Sequence, residues 1–307
     1  LGNAQAKSTL DGAELSAAAI TLTATASVTA SSTLNFGPLA AALINVTSNA
    51  EVVVKNAAKL TTTGNLSIHA DSTTTTSATS NAVGTATATS ADAAVATSIV
   101  SAASKVNVTG TTVLNVGGAL DLSASNVRNV TTVADGTAGG STAAGGSVAV
   151  ATVSGDTQAY IDGGVSVTAG SIKLATSKVD NISTTAKSTS GGSTSGGGST
   201  QTETALSDNK AETSSGSITV AGAVAVTNLT SDSLAYVNTT GTVTSIGLLQ
   251  IQALNNSDAA ATADGSSIGS GATGVGVAVA INHTRTHNDA YLGGAGSRSA
   301  TTSRSRS

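Results

Sequence analysis

Two aspartates that flank a tyrosine, in the stretch "DTQAYIDGG", form the acid pair best suited to catalysis in this chain. They are Asp156 and Asp162, on either side of Tyr160. Enzymes that cleave polysaccharides place two carboxylates in one cleft. Here each aspartate adjoins a predicted turn, where Asp is common because its side chain hydrogen-bonds the local backbone. The pattern therefore predicts no enzyme, and a carbohydrate-active (polysaccharide lyase or hydrolase) β-helix is the alternative.

Two histidines four residues apart, in "NHTRTHND", are the best candidate for a metal site. On a strand, His283 and His287 share a face, and Asp289 follows, so one surface ion is conceivable. Arg285 shares that face, and its positive charge disfavours a cation. The chain has no cysteine, which excludes thiolate sites and disulfides. We predict no metal and no cofactor.

Threonines recur at alternate positions in "TLTATAS", "STTTTSATS" and "GTATATS". Flat ice-binding solenoids carry such a pair on every coil and in register. The pairs in this sequence do not recur with every turn. Ice binding is therefore only a further alternative.

Composition limits the elements that could position these residues. Of 307 residues, 10% are charged and 1% aromatic, and methionine and tryptophan are absent. The apolar content predicts a folded chain with a core of small side chains. An elongated body suits such a core, since a compact globule needs bulky residues at its centre. The net charge of −4 argues against nucleic acid, and no apolar run is long enough for membrane insertion. The lack of methionine predicts a piece of a longer chain.

Three tyrosines reveal an internal repeat. Tyr160, Tyr236 and Tyr291 each follow an alanine and an apolar alternation such as "AGAVAVTNL". The step from Tyr236 to Tyr291 is about 55 residues, and Glu51 and Lys105 continue the series upstream of Tyr160 at nearly the same step. The phrase G-x-L-x-I-x-A recurs beside it, for example as "GNLSIHA" and "GLLQIQA". We predict a repeat of about 55 residues in which these five positions are equivalent and lie on the surface.

The local pattern indicates strands almost everywhere, because aliphatic residues alternate with small or polar ones and Gly, Asn and Asp separate the runs. A 55-residue unit with so few bulky groups needs stacked neighbours to close its core. One third of the repeat, about 18 residues, is close to one coil of a parallel β-helix. We predict an all-β fold, a parallel β-helix (β-solenoid) with three coils per repeat, about 15 coils in a rod on the order of 70 Å long. We place Val224 and Val226 in its core.

The step from Tyr160 to Tyr236 is the longest and locates an insertion. It exceeds the repeat by about 21 residues, and the excess falls within about residues 187–215, where a Gly/Ser tract precedes a charged segment. Length alone also permits an extra coil, but glycines weaken strands. We predict one solenoid over residues 1–296, a flexible insertion, and a flexible Arg/Ser tail or cloning remnant over 297–307. The candidate exposed residues of the insertion are Glu203, Asp208, Lys210 and Glu212.

Over roughly residues 10 to 296, the 55-residue unit, the phrasing "AVAVTN…AYV" and the Ala/Ser/Thr/Gly/Val bias resemble the repeats of giant bacterial adhesins. These are the filamentous-haemagglutinin-like and leukotoxin-type filamentous adhesins of Gram-negative bacteria. The resemblance implies a right-handed β-solenoid and a non-enzymatic structural or adhesive segment, exported to the cell surface or beyond. Expected partners are neighbouring repeats of the same chain, like chains in a filament, or a host-cell or glycan surface.

Overall fold

Two parallel β-sheets make up the fold in this computed structural model. It describes residues 1–85, 89–139, 142–190, 218–267, 273–294 and 298–306. Within these ranges the chain forms strands and turns, which confirms the all-β prediction, and no helix there could cross a membrane. The strands, in chain order, are β1 (Gly2–Asp11), β2 (Glu14–Ala17), β3 (Ile20–Asn35), β4 (Leu39–Lys55), β5 (Lys59–Thr62), β6 (Leu66–Thr85), β7 (Thr89–Val108), β8 (Val113–Gly139), β9 (Thr142–Ser154), β10 (Asp156–Gly163), β11 (Ser166–Ser190), β12 (Ile218–Thr239), β13 (Val243–Ser267), β14 (Thr273–Gly293) and β15 (Arg298–Arg306).

Each repeat contributes one strand level to each sheet. Sheet A has the order β1-β4-β7-β10-β12-β14, and β9 precedes β10 in the same level, between β7 and β12. Sheet B has the order β2-β5-β8-β11-β13-β15, and β3 and β6 continue the levels of β2 and β5. Paired residues lie one repeat apart, as in Leu66 with Leu120 and Ile218 with Thr273. The described chain is therefore consistent with a β-solenoid, but one coil takes a whole repeat. The division of the repeat by three assumed a corner about every six residues, but β8 continues as one strand of 27 residues.

The two strands of a coil face each other and run in opposite directions. Ser231 of β12 meets Asn255 of β13, and Thr219, twelve residues earlier, meets Ser267, twelve residues later. Six levels at about 4.8 Å give a stack of about 29 Å, whereas strands of 20 residues or more extend beyond about 65 Å. The long dimension therefore follows the strands, and the predicted rod of 15 coils is wrong.

The buried side chains differ in size between the two ends of the strands. Where the chain passes from sheet A to sheet B, which we call the leucine end, the core is built from large aliphatic side chains, among them Leu60, Leu114, Leu120, Leu174 and Ile251. Where the chain returns to sheet A, which we call the alanine end, the buried layer consists of alanines, among them Ala94, Ala96, Ala149, Ala186, Ala223 and Ala225. Hydroxyl-bearing and charged side chains lie between these two ends.

The alternation in "AGAVAV" has the opposite phase to the one we expected. Ala223 and Ala225 point into the core, with exposures of 1% and 0%, whereas Val224 and Val226 lie on the outer face of sheet A, partly buried. The alanine layer fills the space between the sheets at this end. The larger valines are therefore on the outside, and their prediction as core residues is wrong.

Strands pair directly across the predicted insertion. β11 ends at Ser190, β12 begins at Ile218, and β9 and β10 are direct neighbours of β12. No strand of an extra coil separates them in the described chain. Glu203, Asp208, Lys210 and Glu212 lie outside the described residues. Within the segment predicted as a tail, Arg298–Arg306 forms β15 on the edge of β13, where its backbone extends the ladder.

Candidate functional site

A row of stacked tyrosines lies on the molecular surface. Tyr160 pairs with Tyr236, and Tyr236 with Tyr291, on the outer face of sheet A at the leucine end. Their ring centroids lie 4.9 Å apart, and the rings are within 3° of parallel. This spacing is that of neighbouring strands, so in-register pairing alone produces the stack. We call these three residues the tyrosine row.

Glu51 and Lys105 lie in the adjacent row, two residues away. They pair with each other, but the next partner of Lys105 is Gln158, and Tyr160 pairs with Asn107. The five expected equivalents thus form two rows, because the step from β7 to its partner in β10 is two residues shorter than the repeat that the sequence suggested. Lys105 binds Asp156 at 3.4 Å. Both charged residues are partly exposed.

The tyrosine row is an apolar strip that keeps its phenol groups protonated. Burial, followed by the negative charge of Asp162, raises the pKa of Tyr236 to about 12. Asp162 accepts hydrogen bonds from Asn238 at 3.2 Å and from the Gly163 amide at 2.8 Å. Stacking covers both faces of the central ring. The row can therefore offer a ligand hydroxyl groups and ring edges, with an outer ring face only at its ends.

We expect the central tyrosine to contribute most to stability. Tyr236→Thr removes two ring contacts, each worth about 0.5–1.5 kcal/mol, whereas Tyr160→Thr and Tyr291→Thr each remove one. Urea unfolding of the three variants should show roughly twice the loss for Tyr236. Tyrosine fluorescence monitors the row directly, since the chain has three tyrosines and no tryptophan. Equal losses at all three positions would show that the stack adds nothing to stability.

The structure does not bring the candidate catalytic acids together. Asp156 and Asp162 lie on one face of β10, six residues apart, which is about 20 Å along a strand. Glycosidase pairs need separations of about 5–9.5 Å. Asp156 faces Lys105, and Asp162 is held by amide donors. This pair does not form the carboxylate arrangement of a glycoside hydrolase.

The two histidines and the threonines of "TLTATAS" lie on outer faces, whereas Thr74 and Thr76 of "STTTTSATS" are buried. His283 contacts Asn228 at 3.0 Å, and His287 lies 3.7 Å from Asp289. No three His, Asp or Glu side chains among the described residues could hold one metal ion together. Threonines 21, 23 and 25 pair with Ser67, His69 and Asp71 on the next strand, so this threonine rank ends after one level.

An open groove of about 530 Å³ lies on sheet B. Two outward rows line it, Asn129 with Asn181 and Asp258, and Thr131 with Ser183 and Ala260. Asn181 donates to Asn129 at 2.9 Å. Amide and hydroxyl groups suit a hydroxyl-rich ligand, but the groove lining includes no aromatic ring. The groove is open to solvent, and apolar atoms contribute most of its lining area.

A buried ion pair in the middle of the stack was missed by sequence reasoning. Arg128 Nε lies 2.5 Å from Asp180 Oδ1, and both side chains are fully buried. Ser231 and Ser257 donate to the other carboxylate oxygen at 2.6 and 2.8 Å. Burial alone would raise the pKa of Asp180, but the hydrogen bond and charge of Arg128 outweigh it and lower that pKa. Arg128 and Asp180 each lie an even number of residues from inward-facing neighbours on their strands, and this spacing was the sequence signal that could have placed them in the core.

A second buried carboxylate sits in a niche of glycines at the alanine end. Asp92 is 7% exposed and accepts the Gly146 amide at 3.3 Å. A Cβ atom at Gly136 or Gly145 would lie 2.7 or 2.8 Å from its oxygen atoms, so only glycine leaves room for them. Burial raises the pKa of Asp92 to about 7. The hydrogen bond from Gly146 lowers this pKa, and the negative charge of Asp135 raises it.

This carboxylate should make the protein less stable as the pH rises. The pKa of Asp92 is higher in the folded state than its ordinary 3.8. The contribution of Asp92 to the free energy of unfolding is therefore complete below about pH 4 and is lost as the pH rises through about 7. Asp92→Asn should flatten the fall in unfolding free energy over this range in urea titrations, whereas Asp71→Asn on the outer face should not. An unchanged slope in Asp92→Asn would show that Asp92 is not the group responsible.

Neither the protein-family models, nor characterised proteins, nor solved structures include a match to this chain.

Proposed function

We propose that this chain is a non-enzymatic structural segment of a long, exported surface protein, in which stacked coils form a stalk. The observation that supports this most is the open end of the stack. β1 and β14 are terminal strands of sheet A, each with its described partners on one side. Edge strands template further strands, and repeats of this kind gain stability from each added neighbour.

The resemblance to filamentous-haemagglutinin-like adhesins belongs to the same proposal. It adds an extracellular or cell-surface location and an adhesive role, with a host-cell or glycan surface as the partner. We further propose right-handed winding, the hand that crossovers between parallel strands of one sheet almost always take. The wide separation of Asp156 and Asp162 argues against the carbohydrate-active alternative, and the interrupted threonine rank argues against ice binding.

The stalk function can be tested by lengthening the chain. Residues 240–294 span one repeat, so four extra tandem copies should add about 19 Å along the stacking direction. Electron microscopy and solution scattering would measure this growth, and the melting temperature should hold or rise. Extra copies that unfold separately, or that form a second body, would contradict the proposal. Antibodies raised against this segment should label intact producing cells, and a failure to label them would contradict the surface location.

A further inference from the structure

One half of the outer face of sheet A is apolar and uncharged. It consists of the outward side chains of residues 39–43, 93–97, 144–150, 220–226 and 275–281, which we call the valine patch. Its central row is Val95, Val148, Val224 and Val279, joined by strand pairing. The patch contains no charged residue. Val95 and Val148 lie on strands that have neighbours on both sides, yet they are 38% and 37% exposed.

Charged side chains lie on other parts of the described surface. Towards the leucine end of the same face lie Glu51, Lys105 and Asp156. On the opposite face, sheet B carries the paired row of Asp135, Lys187 and Asp264 at the alanine end. The valine patch is therefore a bounded area on one side of a two-layer body. Apolar patches of this kind, with polar surroundings, mark interaction surfaces.

We propose that a second copy of this chain covers the valine patch, with the two sheet A faces packed together about a two-fold axis. Five strands, each with three or four outward residues, cover about 600 Å², somewhat less than the roughly 800 Å² per partner of a standard interface. A surface without charge needs no charge-complementary partner, and two identical flat sheet faces can pack about 10 Å apart. Because the opposite face is charged, pairing closes at the dimer. This inference does not depend on the proposed stalk function.

The association state of the full chain tests the proposal. Sedimentation velocity from about 1 to 200 μM should show a concentration-dependent monomer–dimer equilibrium. Val148→Glu together with Val224→Glu should raise the dissociation constant at least about 100-fold, because carboxylates would be buried without partners. The matched control is Val179→Glu on the outer face of sheet B, which should leave the dimer intact. Val148→Thr with Val224→Thr, which keeps strand propensity, should weaken the dimer in the same direction.

Circular dichroism and melting curves establish that each variant is folded before its mass is compared. A wild-type chain that stays monomeric at every concentration would overturn the proposal. Flotation of that monomer with phosphatidylcholine vesicles would then assign the patch to a lipid surface. A dimer that persists in the folded Glu and Thr variants, or that dissociates equally in Val179→Glu, would also overturn it, since the interface would lie elsewhere.

Discussion

Ala225→Asp is expected to lower the free energy of unfolding by more than about 4 kcal/mol, or to abolish folding. Ala225 has no exposed surface and packs in the alanine layer between the two sheets. A carboxylate there would lose its hydration with no cation beside it in the alanine cluster. Urea unfolding monitored by circular dichroism at low protein concentration, where the proposed dimer would dissociate, would measure the loss.

The neighbouring residue supplies the control for this prediction. Val224→Asp places the same charge one residue earlier, on the outer face, where water can reach it. Its cost should stay near 1 kcal/mol, mainly the lower strand propensity of aspartate. If Val224→Asp proved the more damaging of the two, the alternation would have the opposite phase and the alanine layer would not be the core.

After Ala225→Asp, we expect the removal of the buried Arg128 guanidinium to lower the free energy of unfolding most. Arg128→Ala removes the cation that binds the Asp180 carboxylate and leaves Lys178 as the remaining buried cation that acts on it, and breaking a buried pair in this way typically costs about 3–5 kcal/mol. Ser231 and Ser257 still donate to that carboxylate, but two neutral donors do not replace a charge. Urea unfolding at neutral pH would measure the loss.

An exposed ion pair on the neighbouring strands gives the comparison. Lys173 lies 3.1 Å from Asp121, with 47% and 30% of the two side chains exposed, so Lys173→Ala should cost less than about 1 kcal/mol. Replacing both buried partners, as Arg128→Met with Asp180→Leu, should cost less than Arg128→Ala alone, because the carboxylate is then removed together with its cation, and Lys178 is the buried charge that remains nearby. A double variant as unstable as Arg128→Ala would show that lost packing, and not the orphaned charge, causes the damage.

The penalty of Arg128→Ala should also depend on pH. The pKa of Asp180 is lowered in the wild-type fold, so its stabilising contribution is present above the ordinary value of 3.8 and is lost as the pH falls through the folded value. Without Arg128, burial would instead favour the protonated acid. The difference in unfolding free energy between wild type and Arg128→Ala should therefore shrink from neutral pH towards pH 4. A difference that is independent of pH would contradict this account of the pair.

Several features of the fold follow from local pattern and could be predicted from the sequence. Alternation at period two predicts strands wherever it occurs, and the described chain has no other regular structure. The phrase G-x-L-x-I-x-A marks positions that do pair, since Ile68, Leu122, Leu174 and Ile251 form one buried ladder. The equivalence of the three tyrosines also followed from their shared surroundings in the sequence.

The sequence did not correctly predict the length of a coil. It also did not show that Glu51 and Lys105 lie in a different row from the tyrosines. Both depend on counting through turns, and each repeat differs by a residue or two. On the preceding level Tyr160 pairs with Asn107, and the number of residues between them is smaller than one repeat. On the following level it pairs with Tyr236, and the number of residues between them is much larger than one repeat. A fixed interval therefore misassigns neighbours by two residues, and two residues on a strand is the step to the next side chain on the same face.

The sequence by itself determined an all-β chain of stacked repeats and the row in which its tyrosines meet, because these depend only on period and similarity between repeats. Only the tertiary structure decided which side of the alternation is buried, that one repeat makes one coil, and that Arg128 and Asp180 meet on neighbouring strands. The physical reason lies in the distance between the sheets. When both alternating residues are small or aliphatic, as in "AVAV", hydrophobicity fits either face, and the side-chain volume that fits between the facing sheets selects alanine for the core.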